Sequence, residues 1–468
     1  MNRRDFLANS VLAAGTLAAR SAFAAPEQYS VTVRADRPLG MIAPDFMGLG
    51  YEISSVSRPG LLSRANQVYV QLVRTLGARG VIRIGGNTAD YAKYSPNGAP
   101  VSSARGTVVN DAVLKDLGGF LETTGWKLIW ALDLGQGTEA DAVAEARILS
   151  SIAGERLLTF EIGNEPDLFA RAKHRNPDYG YEDWLAEYRR YKAALRKEFP
   201  RIPFAGPDAA VRTEWVTRFA ADEGKDCVLL AHHYYREGQN PSSSIEKLLG
   251  VDPKLQPQLT ALKAASQSSG VPYRICEVNS FSGGGRSGVS DTLAGALWVL
   301  DYMFTLAANG CAGVNMETGV NHLDFISSYS PIGDDEHGHH SAKPEYYGML
   351  AFSLAAKGQL LGVETDANLP EIKAYATQSK GALALTLINK GAAAPVLNVN
   401  LGEHAKARQA SLIRLNGPAI DSKTGIRLGG VEVSPDGTWK AASTEVLRVK
   451  NGQLAITLPP ASAAVIHL

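Results

Sequence analysis

The feature that most constrains the fold is an alternation of short apolar runs with amphipathic helical stretches between residues 40 and 360. Continuously apolar strands separated by helices indicate a parallel sheet that is covered on both faces. Eight such units in series favour a closed (β/α)8 barrel over an open doubly wound sheet. The predicted strands are residues 47–52, 80–86, 126–133, 157–163, 203–206, 227–233, 273–277 and 312–316.

A second kind of pattern begins near residue 360, where short β-like runs alternate with turns rich in Gly, Asn, Asp and Lys. Strands at hairpin spacing without helices predict a small antiparallel β-sandwich. Residues 29–33 alternate in the same way, so we group the N-terminal segment with this sandwich. The predicted organisation is a catalytic barrel at 40–358 and a sandwich formed by 26–39 and 359–468.

The N-terminus has the pattern of an export signal. Arg3 and Arg4 precede an Ala-rich apolar run, and residues 22–24 offer an A-x-A cleavage site. These features predict a twin-arginine signal peptide at residues 1–24, because the apolar run is too short to span a bilayer. The expected location is periplasmic or secreted, without membrane attachment after cleavage.

Composition excludes several classes of function. The formal net charge is zero, which argues against binding to nucleic acid or anionic membrane through an overall positive charge. The three cysteines lie far apart in or beside apolar runs, so we expect core residues and no disulfide framework. Neither a nucleotide fingerprint nor a metal motif stands out, and the histidines near residues 337–340 suit an exposed loop. No cofactor and no metal are therefore predicted.

Two strand ends carry the residues that point to chemistry. Catalytic side chains of such barrels lie at the carboxyl ends of the strands. The fourth predicted strand runs into Asn164, Glu165 and Pro166, and the seventh ends in Glu277. Two carboxylates in one barrel suit glycoside hydrolysis by a retaining mechanism, with Glu165 as general acid/base and Glu277 as nucleophile. Asn164 is then placed to bind the 2-hydroxyl of the sugar.

Other glutamates compete for these roles. Glu317 ends the eighth predicted strand and is an alternative nucleophile. Glu161 shares the strand of Glu165, and we interpret it as a buried structural partner. A charged Glu277 in a shared pocket would raise the pKa of Glu165, as a general acid requires.

Several motifs together resemble one family. Residues 160–166, Phe-Glu-Ile-Gly-Asn-Glu-Pro, are similar to the acid/base motif of the heparanase and β-glucuronidase group, glycoside hydrolase family 79. The similarity continues in order over about 270 residues. The further matching segments are residues 83–86, 206–208, 232–235, Glu277 with the glycines at 283–285, and 343–347.

This resemblance implies a barrel with a β-sandwich, a retaining mechanism and a uronic acid at the reacting position. It implies that the backbone N–H groups of Gly283 and Gly284 bind the uronate carboxylate, as a glycine-rich concave donor site can. It further implies that Tyr234 contacts the nucleophile or the carboxylate, that His232 lines the pocket, and that Tyr329 contacts the carboxylate.

Three polar residues after the first and second strands, Glu52, Asn87 and Asp90, are candidates for binding sugar hydroxyls or for supporting the residues that do. The sequence also departs from the family pattern. Members of the family carry a tyrosine just before the glycine run, where this chain has Ser282. Arg286 is a candidate to compensate as a charged partner of the carboxylate.

The basic segment at residues 171–175 bears on the substrate. Arg171 matches a position that faces sulfate groups in heparanases, and a solvated loop is the alternative interpretation. The predicted partner is a uronic-acid-containing oligosaccharide or polysaccharide, cut either internally as in a glycosaminoglycan or at its end. A barrel glycosidase acting on neutral sugars and a non-catalytic polysaccharide-binding protein are the alternatives.

Overall fold

The structure is a computed structural model that describes residues 28–319, 323, 327–334, 338–365, 371–402 and 407–468. The predicted export signal at residues 1–24 lies outside these ranges. The first described element is strand β1, Gln28–Met41. No helix among the described residues is long and apolar enough to cross a membrane.

Eight parallel strands form the first domain, and their spatial order is β5-β4-β3-β2-β9-β8-β7-β6. Between the two end strands, the N–H of Phe160 donates to the carbonyl of Pro203 at 3.1 Å, which nearly closes the barrel. The predicted (β/α)8 barrel is therefore confirmed. The strands are β2 Gly48–Glu52, β3 Val81–Gly85, β4 Lys127–Leu132, β5 Leu157–Ile162, β6 Ala205–Ala209, β7 Leu229–Gly238, β8 Tyr273–Ser282 and β9 Val314–Glu317.

One principal helix follows each barrel strand. Local signals in the sequence define their starts: Asn66 accepts the N–H of Tyr69, and the side chains of Thr138 and Asp141 form a reciprocal capping box. The helices are α1 Gln67–Leu76, α2 Asp111–Thr124, α3 Glu139–Ala153, α4 Tyr181–Glu198, α5 Thr213–Glu223, α6 Leu255–Ser269, α7 Leu293–Ala308 and α8 Pro344–Ala355.

The C-terminal strands and β1 form a ten-stranded sheet in which β1 pairs antiparallel with β10 and parallel with β13. Residues from both ends of the strand order, such as Leu412 and Ile456, share one apolar core. The sheet therefore folds over on itself, and the N-terminal strand belongs to it. The strands are β10 Gln359–Thr365, β11 Ile372–Ser379, β12 Ala382–Asn389, β13 Val396–Asn400, β14 Gln409–Asn416, β15 Arg427–Leu428, β16 Glu445–Arg448, β17 Gln453–Thr457 and β18 Ser462–His467.

The barrel and the sheet share a continuous apolar interface. Helix α7 is buried nearly all round, which agrees with its uniformly apolar sequence. Tyr375 of β11 stacks on Phe304 of α7 with ring centroids 4.7 Å apart, and its hydroxyl donates to Asp301. Lys390 pairs with the same aspartate. The three cysteines are buried and free, as expected for core residues.

Candidate active site

An open cleft of about 970 Å³ lies at the carboxyl ends of the barrel strands. Glu165 lies three residues after Ile162, the last residue of β5, and Glu277 lies within β8, which continues for five residues beyond it. Both side chains line the cleft. The parallel barrel therefore brings together two glutamates that are 112 residues apart in the sequence.

The two carboxyl groups are close enough for direct cooperation. One oxygen of Glu165, one oxygen of Glu277 and one ring nitrogen of His233 all lie within 4.8 Å of one another. Retaining glycosidases hold their carboxyl groups about 5–5.5 Å apart, whereas inverting enzymes leave a wider gap for a water molecule. Nearest oxygens within 4.8 Å of each other favour the closer spacing of a retaining pair.

Glu277 accepts hydrogen bonds from two donors. Nη1 of Arg83 lies 2.8 Å from Oε2 of Glu277, and the hydroxyl of Tyr235 lies 2.9 Å from Oε1. A guanidinium and a phenol directed at both oxygens stabilise a carboxylate and fix its orientation. Glu317, the competing candidate, accepts no such donor in the described part of the chain. This arrangement favours Glu277 as the nucleophile.

Arg83 is the buried hub of the site. Besides Glu277, its guanidinium donates to Glu161 at 3.1 Å, to Asn164 at 2.8 Å and to Asp208 at 2.5 Å. Its side chain is 0% exposed, so these acceptors replace water completely. Glu161 is the buried partner that the sequence suggested, and burial together with the charge of Asp208 raises its pKa to about 7.

His233 connects this hub to the acid/base candidate. Its Nδ1 lies 2.9 Å from Oε1 of Glu165, and its Nε2 lies 2.8 Å from Oδ1 of Asp208. Burial alone would lower the pKa of His233, but the carboxylates of Asp208 and Glu277 raise it well above its usual value. The imidazole is therefore protonated and donates from both nitrogens.

The counter-charge to His233 is Asp208. Burial acts to raise the pKa of Asp208, yet the charges of Arg83 and His233 outweigh it and lower that pKa to about 2. A chain of contacts thus runs from Glu277 through Arg83, Asp208 and His233 to Glu165. Along this chain the two cationic side chains, Arg83 and His233, alternate with the three carboxyl groups.

Glu165 has the environment of a general acid. Burial raises its pKa, the hydrogen bond from His233 opposes this rise, and the charge of Glu277 adds to it. Its backbone has φ 52° and ψ 49°, a left-handed conformation that is uncommon for a residue other than glycine. The N–H of Glu165 donates to the carbonyl of Asp208 at 3.0 Å, which helps hold that conformation.

Two predictions on β7 are wrong by one residue. The hydroxyl of Tyr234 donates to Asp252 and its ring stacks on Tyr302, so Tyr234 faces the helices and does not contact the nucleophile. Likewise His232 bonds to Gln258 and lies outside the cleft lining. Because strand side chains alternate between faces, their successors Tyr235 and His233 point into the barrel instead.

The predicted hydroxyl-binding residues occupy two kinds of position. Asn164 and Glu52 line the cleft; the side-chain oxygen of Asn164 accepts from Arg83, and its amide nitrogen has no acceptor within the described residues. Asn87 is exposed at the cleft wall. Asp90 borders the cleft, but its oxygens accept the N–H groups of Leu134, Gly135 and Asn164. Asp90 therefore positions Asn164, the supporting role that the sequence left open.

The glycine run lies on the wall beside Glu277. Gly283 and Gly284 line the cleft with φ of 80° and 89°, and neither N–H donates a hydrogen bond within the described residues. Tyr329 lines the same wall, and Ser282 borders it. Arg286 is exposed and lies outside the cleft lining, so the compensating contact suggested for it is not present.

Basic side chains line the cleft wall beside Glu165. Arg171 and Arg105 both face the cleft, and the guanidinium of Arg105 lies 5.4 Å from the ring centre of Tyr91. Lys254 also lines the cleft, and its ammonium donates to the carbonyl of Arg236 at 2.7 Å. An anionic group beside Arg105 and Arg171 would therefore meet two guanidinium groups.

Among the described residues, two groups of side chains have spacing that a metal ion could use: Glu165 with His233 and Glu277, and a deeper group of Glu161, Asp208 and Cys276. In the deeper group, the guanidinium of Arg83 already donates to Glu161 and to Asp208. In the first group, the two ring nitrogens of His233 are engaged by Glu165 and Asp208.

Sequence comparisons agree on one kind of relative. The model of the "Glycosyl hydrolase family 79 C-terminal beta domain" matches residues 374–465. A β-glucuronidase of Aspergillus niger is 27% identical over 341 residues, 65% of this chain and 61% of the relative. A β-glucuronidase of Neurospora crassa is 26% identical over 358 residues, 66% of this chain and 60% of the relative. The chain thus spans about three fifths of the length of these relatives.

Solved structures share the whole fold. A 4-O-α-L-rhamnosyl-β-D-glucuronidase from Fusarium oxysporum superimposes with a TM-score of 0.76 at 16% identity, covering 94% of this chain and 100% of that one. A family 51 arabinofuranosidase from Xanthomonas axonopodis pv. citri gives a TM-score of 0.68 at 18% identity, covering 94% and 99%. At these identities the likeness concerns the fold alone.

Proposed function

Because this chain belongs to glycoside hydrolase family 79, we propose that it is a retaining β-glucuronidase that hydrolyses β-linked glucuronides through a covalent intermediate. The observation that carries the proposal is the close pair of Glu165 and Glu277, with oxygens within 4.8 Å. The names of the two sequence relatives support the glucuronide substrate.

In the first step, the carboxylate of Glu277 attacks the anomeric carbon while Glu165 gives its proton to the glycosidic oxygen. The bond to the leaving group breaks and an ester bond to Glu277 forms. Arg83 and Tyr235 hold the attacking carboxylate in place. Asn164 is positioned by Arg83 and Asp90 to bind the 2-hydroxyl, a contact that strengthens in the transition state.

In the second step, Glu165 accepts a proton from water, and the water oxygen attacks the anomeric carbon. The ester to Glu277 breaks, and the sugar leaves with its original anomeric configuration. The loss of negative charge on Glu277 in the intermediate lowers the pKa of Glu165, since the repulsion that raised it is gone. The same residue can therefore act as an acid and then as a base.

The uronate carboxylate is proposed to lie against Gly283, Gly284 and Tyr329. The N–H groups of these two left-handed glycines donate no hydrogen bond within the described residues and form a concave donor site, in which a side chain would be strained. Ser282 offers a smaller hydroxyl where the family has a tyrosine.

A second candidate concerns the rest of the substrate. Arg105 and Arg171 line the wall beside the acid/base, where a leaving group would lie. Two cations there favour a leaving group that carries sulfate or carboxylate, such as the next sugar of a glycosaminoglycan. The alternative is an exo-acting enzyme that releases single uronates from neutral aglycones. The N-terminal paired arginines support the further proposal that the enzyme is exported.

Purified protein should be assayed on aryl β-glucuronide, aryl β-xyloside and heparan sulfate. The proposal expects turnover of the glucuronide and little turnover of the xyloside. Turnover of the xyloside alone would instead indicate a neutral-sugar glycosidase. Binding of polysaccharide without turnover would indicate a binding protein, and either result would contradict the proposed function.

A further inference from the structure

A third glutamate lies in the floor of the cleft and takes no part in the proposed mechanism. Glu317 is the last residue of β9, the strand between β2, which carries Glu52, and β8, which carries Glu277. Its backbone is fixed by two hydrogen bonds: Asn279 donates to its carbonyl at 3.1 Å, and the next N–H donates to Gly50 at 2.8 Å. The residue is 4% exposed and lines the cleft.

Among the described residues, the side-chain carboxyl of Glu317 has no hydrogen-bond partner. Its Oε2 is buried without a hydrogen bond, and within the described part of the chain nothing donates to or accepts from the carboxyl group. The other carboxyls of this site each have partners, for example Glu277 with Arg83 and Tyr235. A buried polar group without a partner is uncommon in a folded protein and suggests that a ligand completes it.

The barrel makes room for this carboxyl. Gly50 is the residue of β2 paired with Glu317, and a Cβ atom built on it would lie 2.8 Å from Oε2 of Glu317. Any side chain at position 50 would therefore displace the carboxyl. The absence of a side chain keeps Glu317 directed over the floor of the cleft.

The neighbours of Glu317 oppose its ionisation. Burial is the largest influence, and the carboxylates of Glu277 and Glu52 add to it, so the pKa of Glu317 is raised well above its ordinary value. Arg83 and His233 act in the opposite direction but are committed to other carboxylates. The hydroxyls of Tyr51 and Tyr329 complete the ionisable groups around it. A neutral carboxyl can donate a hydrogen bond as well as accept one.

We propose that Glu317 is a substrate-binding residue whose carboxyl hydrogen-bonds a ring hydroxyl of the terminal uronic acid, on the side away from the glycosidic bond. This inference rests on the proposed function. With the anomeric carbon over Glu277, the 2-hydroxyl toward Asn164 and the carboxylate against the glycine wall, the floor at Glu317 is left for the 3- or 4-hydroxyl. A charged carboxylate there would repel the uronate, whereas a neutral one would not.

The test compares three variants on an aryl β-glucuronide. Glu317→Gln keeps the shape and a donor, and its kcat/KM is expected to stay within about threefold of wild type. Glu317→Ala and the volume-conserving Glu317→Met lose the donor, and their kcat/KM should fall roughly 10- to 100-fold. The melting temperature of each variant distinguishes a lost substrate contact, which leaves it unchanged, from a loss of folded structure, which lowers it.

The same enzymes are then assayed on 3-deoxy and 4-deoxy analogues of the substrate. If Glu317 binds one of these hydroxyls, the penalty of Glu317→Met should nearly vanish on the analogue that lacks it. An equal penalty on the parent and both analogues would overturn the inference, as would a Glu317→Gln variant as impaired as Glu317→Ala. An inactive wild type would overturn the proposed function and this inference with it, whereas these two results would overturn the inference alone.

Discussion

Nδ1 of His233 lies 2.9 Å from Oε1 of Glu165, and the other nitrogen of the ring is held by Asp208. The acid/base candidate therefore has a protonated imidazole as its direct neighbour. This cation favours the carboxylate form of Glu165, while burial and Glu277 favour the neutral form. The balance between these influences sets the pH range over which Glu165 can donate a proton.

Replacing His233 with asparagine should therefore change the pH profile. Loss of the cation removes an influence that lowers the pKa of Glu165, so that pKa rises. Because the first step needs protonated Glu165, the alkaline limb of kcat/KM should move to higher pH. We also expect kcat/KM at its optimum to fall about 10- to 100-fold, since a hydrogen bond to a charged group is lost. His467→Asn, in the distant sandwich, serves as control, and an unmoved alkaline limb would contradict this assignment.

Adjacent tyrosines on β7 offer a matched comparison. Tyr235→Phe removes the hydroxyl that donates to Glu277, and kcat/KM should fall about 10- to 100-fold on an aryl β-glucuronide. Tyr234→Phe removes a hydroxyl that donates to Asp252 outside the cleft, so turnover should stay near wild type. Steady-state kinetics of both variants test this prediction. A larger loss of kcat/KM in Tyr234→Phe than in Tyr235→Phe would show that the two faces of β7 are misassigned.

Arg83 should be essential for stability as well as for activity. Arg83→Met leaves Glu161 buried without its cation and Asp208 with His233 alone, and breaking a buried ion pair typically costs about 3–5 kcal/mol in the free energy of unfolding. The control is Arg64→Met, whose exposed pair with Glu122 should contribute less than about 1 kcal/mol. Urea denaturation measures both. Equal stabilities of the two variants would argue against Arg83 as the hub.

Arg171 tests the preference for anionic leaving groups. Arg171→Ala should lower kcat/KM on a sulfated glucuronide oligosaccharide several-fold, by an amount that shrinks at high salt, and leave an aryl β-glucuronide unaffected. Arg218→Ala, on the outer helix α5, is the control with the same change in charge. A uniform loss on both substrates would assign Arg171 to a structural role.

The fold was largely predictable from the sequence, because each barrel unit carries its own local signal. Eight apolar runs gave the eight strands, although β7 and β8 continue well beyond the predicted ends at residues 233 and 277. Their extensions contain polar residues, whose burial depends on neighbours across the barrel. In the sandwich, the predicted runs were residues 372–376, 382–389, 396–401, 410–415, 446–449 and 453–458, so the strands β10, β15 and β18 were missed.

The site was predictable only in part, for reasons of geometry. Glu165 and Glu277 could be found because each follows or ends an apolar strand. Which face of β7 points into the barrel could not be predicted. A strand places alternate residues on opposite sides, and the sequence does not reveal which set points inward. The roles that the family resemblance implied for His232 and Tyr234 were therefore assigned one residue too early, since His233 and Tyr235 make these contacts.

Contacts between residues far apart in the sequence could not be predicted, for a different reason. Arg83 and Asp208 stand 125 residues apart, and only closure of the barrel brings the guanidinium to this carboxylate. Arg83 and Asp208 lie in motifs that were part of the family resemblance. Their positions in the sequence alone do not indicate what either side chain does. Tyr235 and His233 belong to the same group of contacts, which exists only in three dimensions.

The central claim is that Glu277 is the nucleophile of a retaining enzyme. A 2-fluoro-glucuronyl substrate with an activated leaving group should form a stable ester that can be located by tryptic digestion and mass spectrometry. Cleavage after Arg274 and Arg286 gives a peptide of residues 275–286 in which Glu277 is the sole side-chain carboxyl, whereas Glu317 falls in another peptide. We predict a single label on the 275–286 peptide. A label on the peptide that contains Glu317, or turnover of the fluoro-sugar without any covalent adduct, would contradict the account.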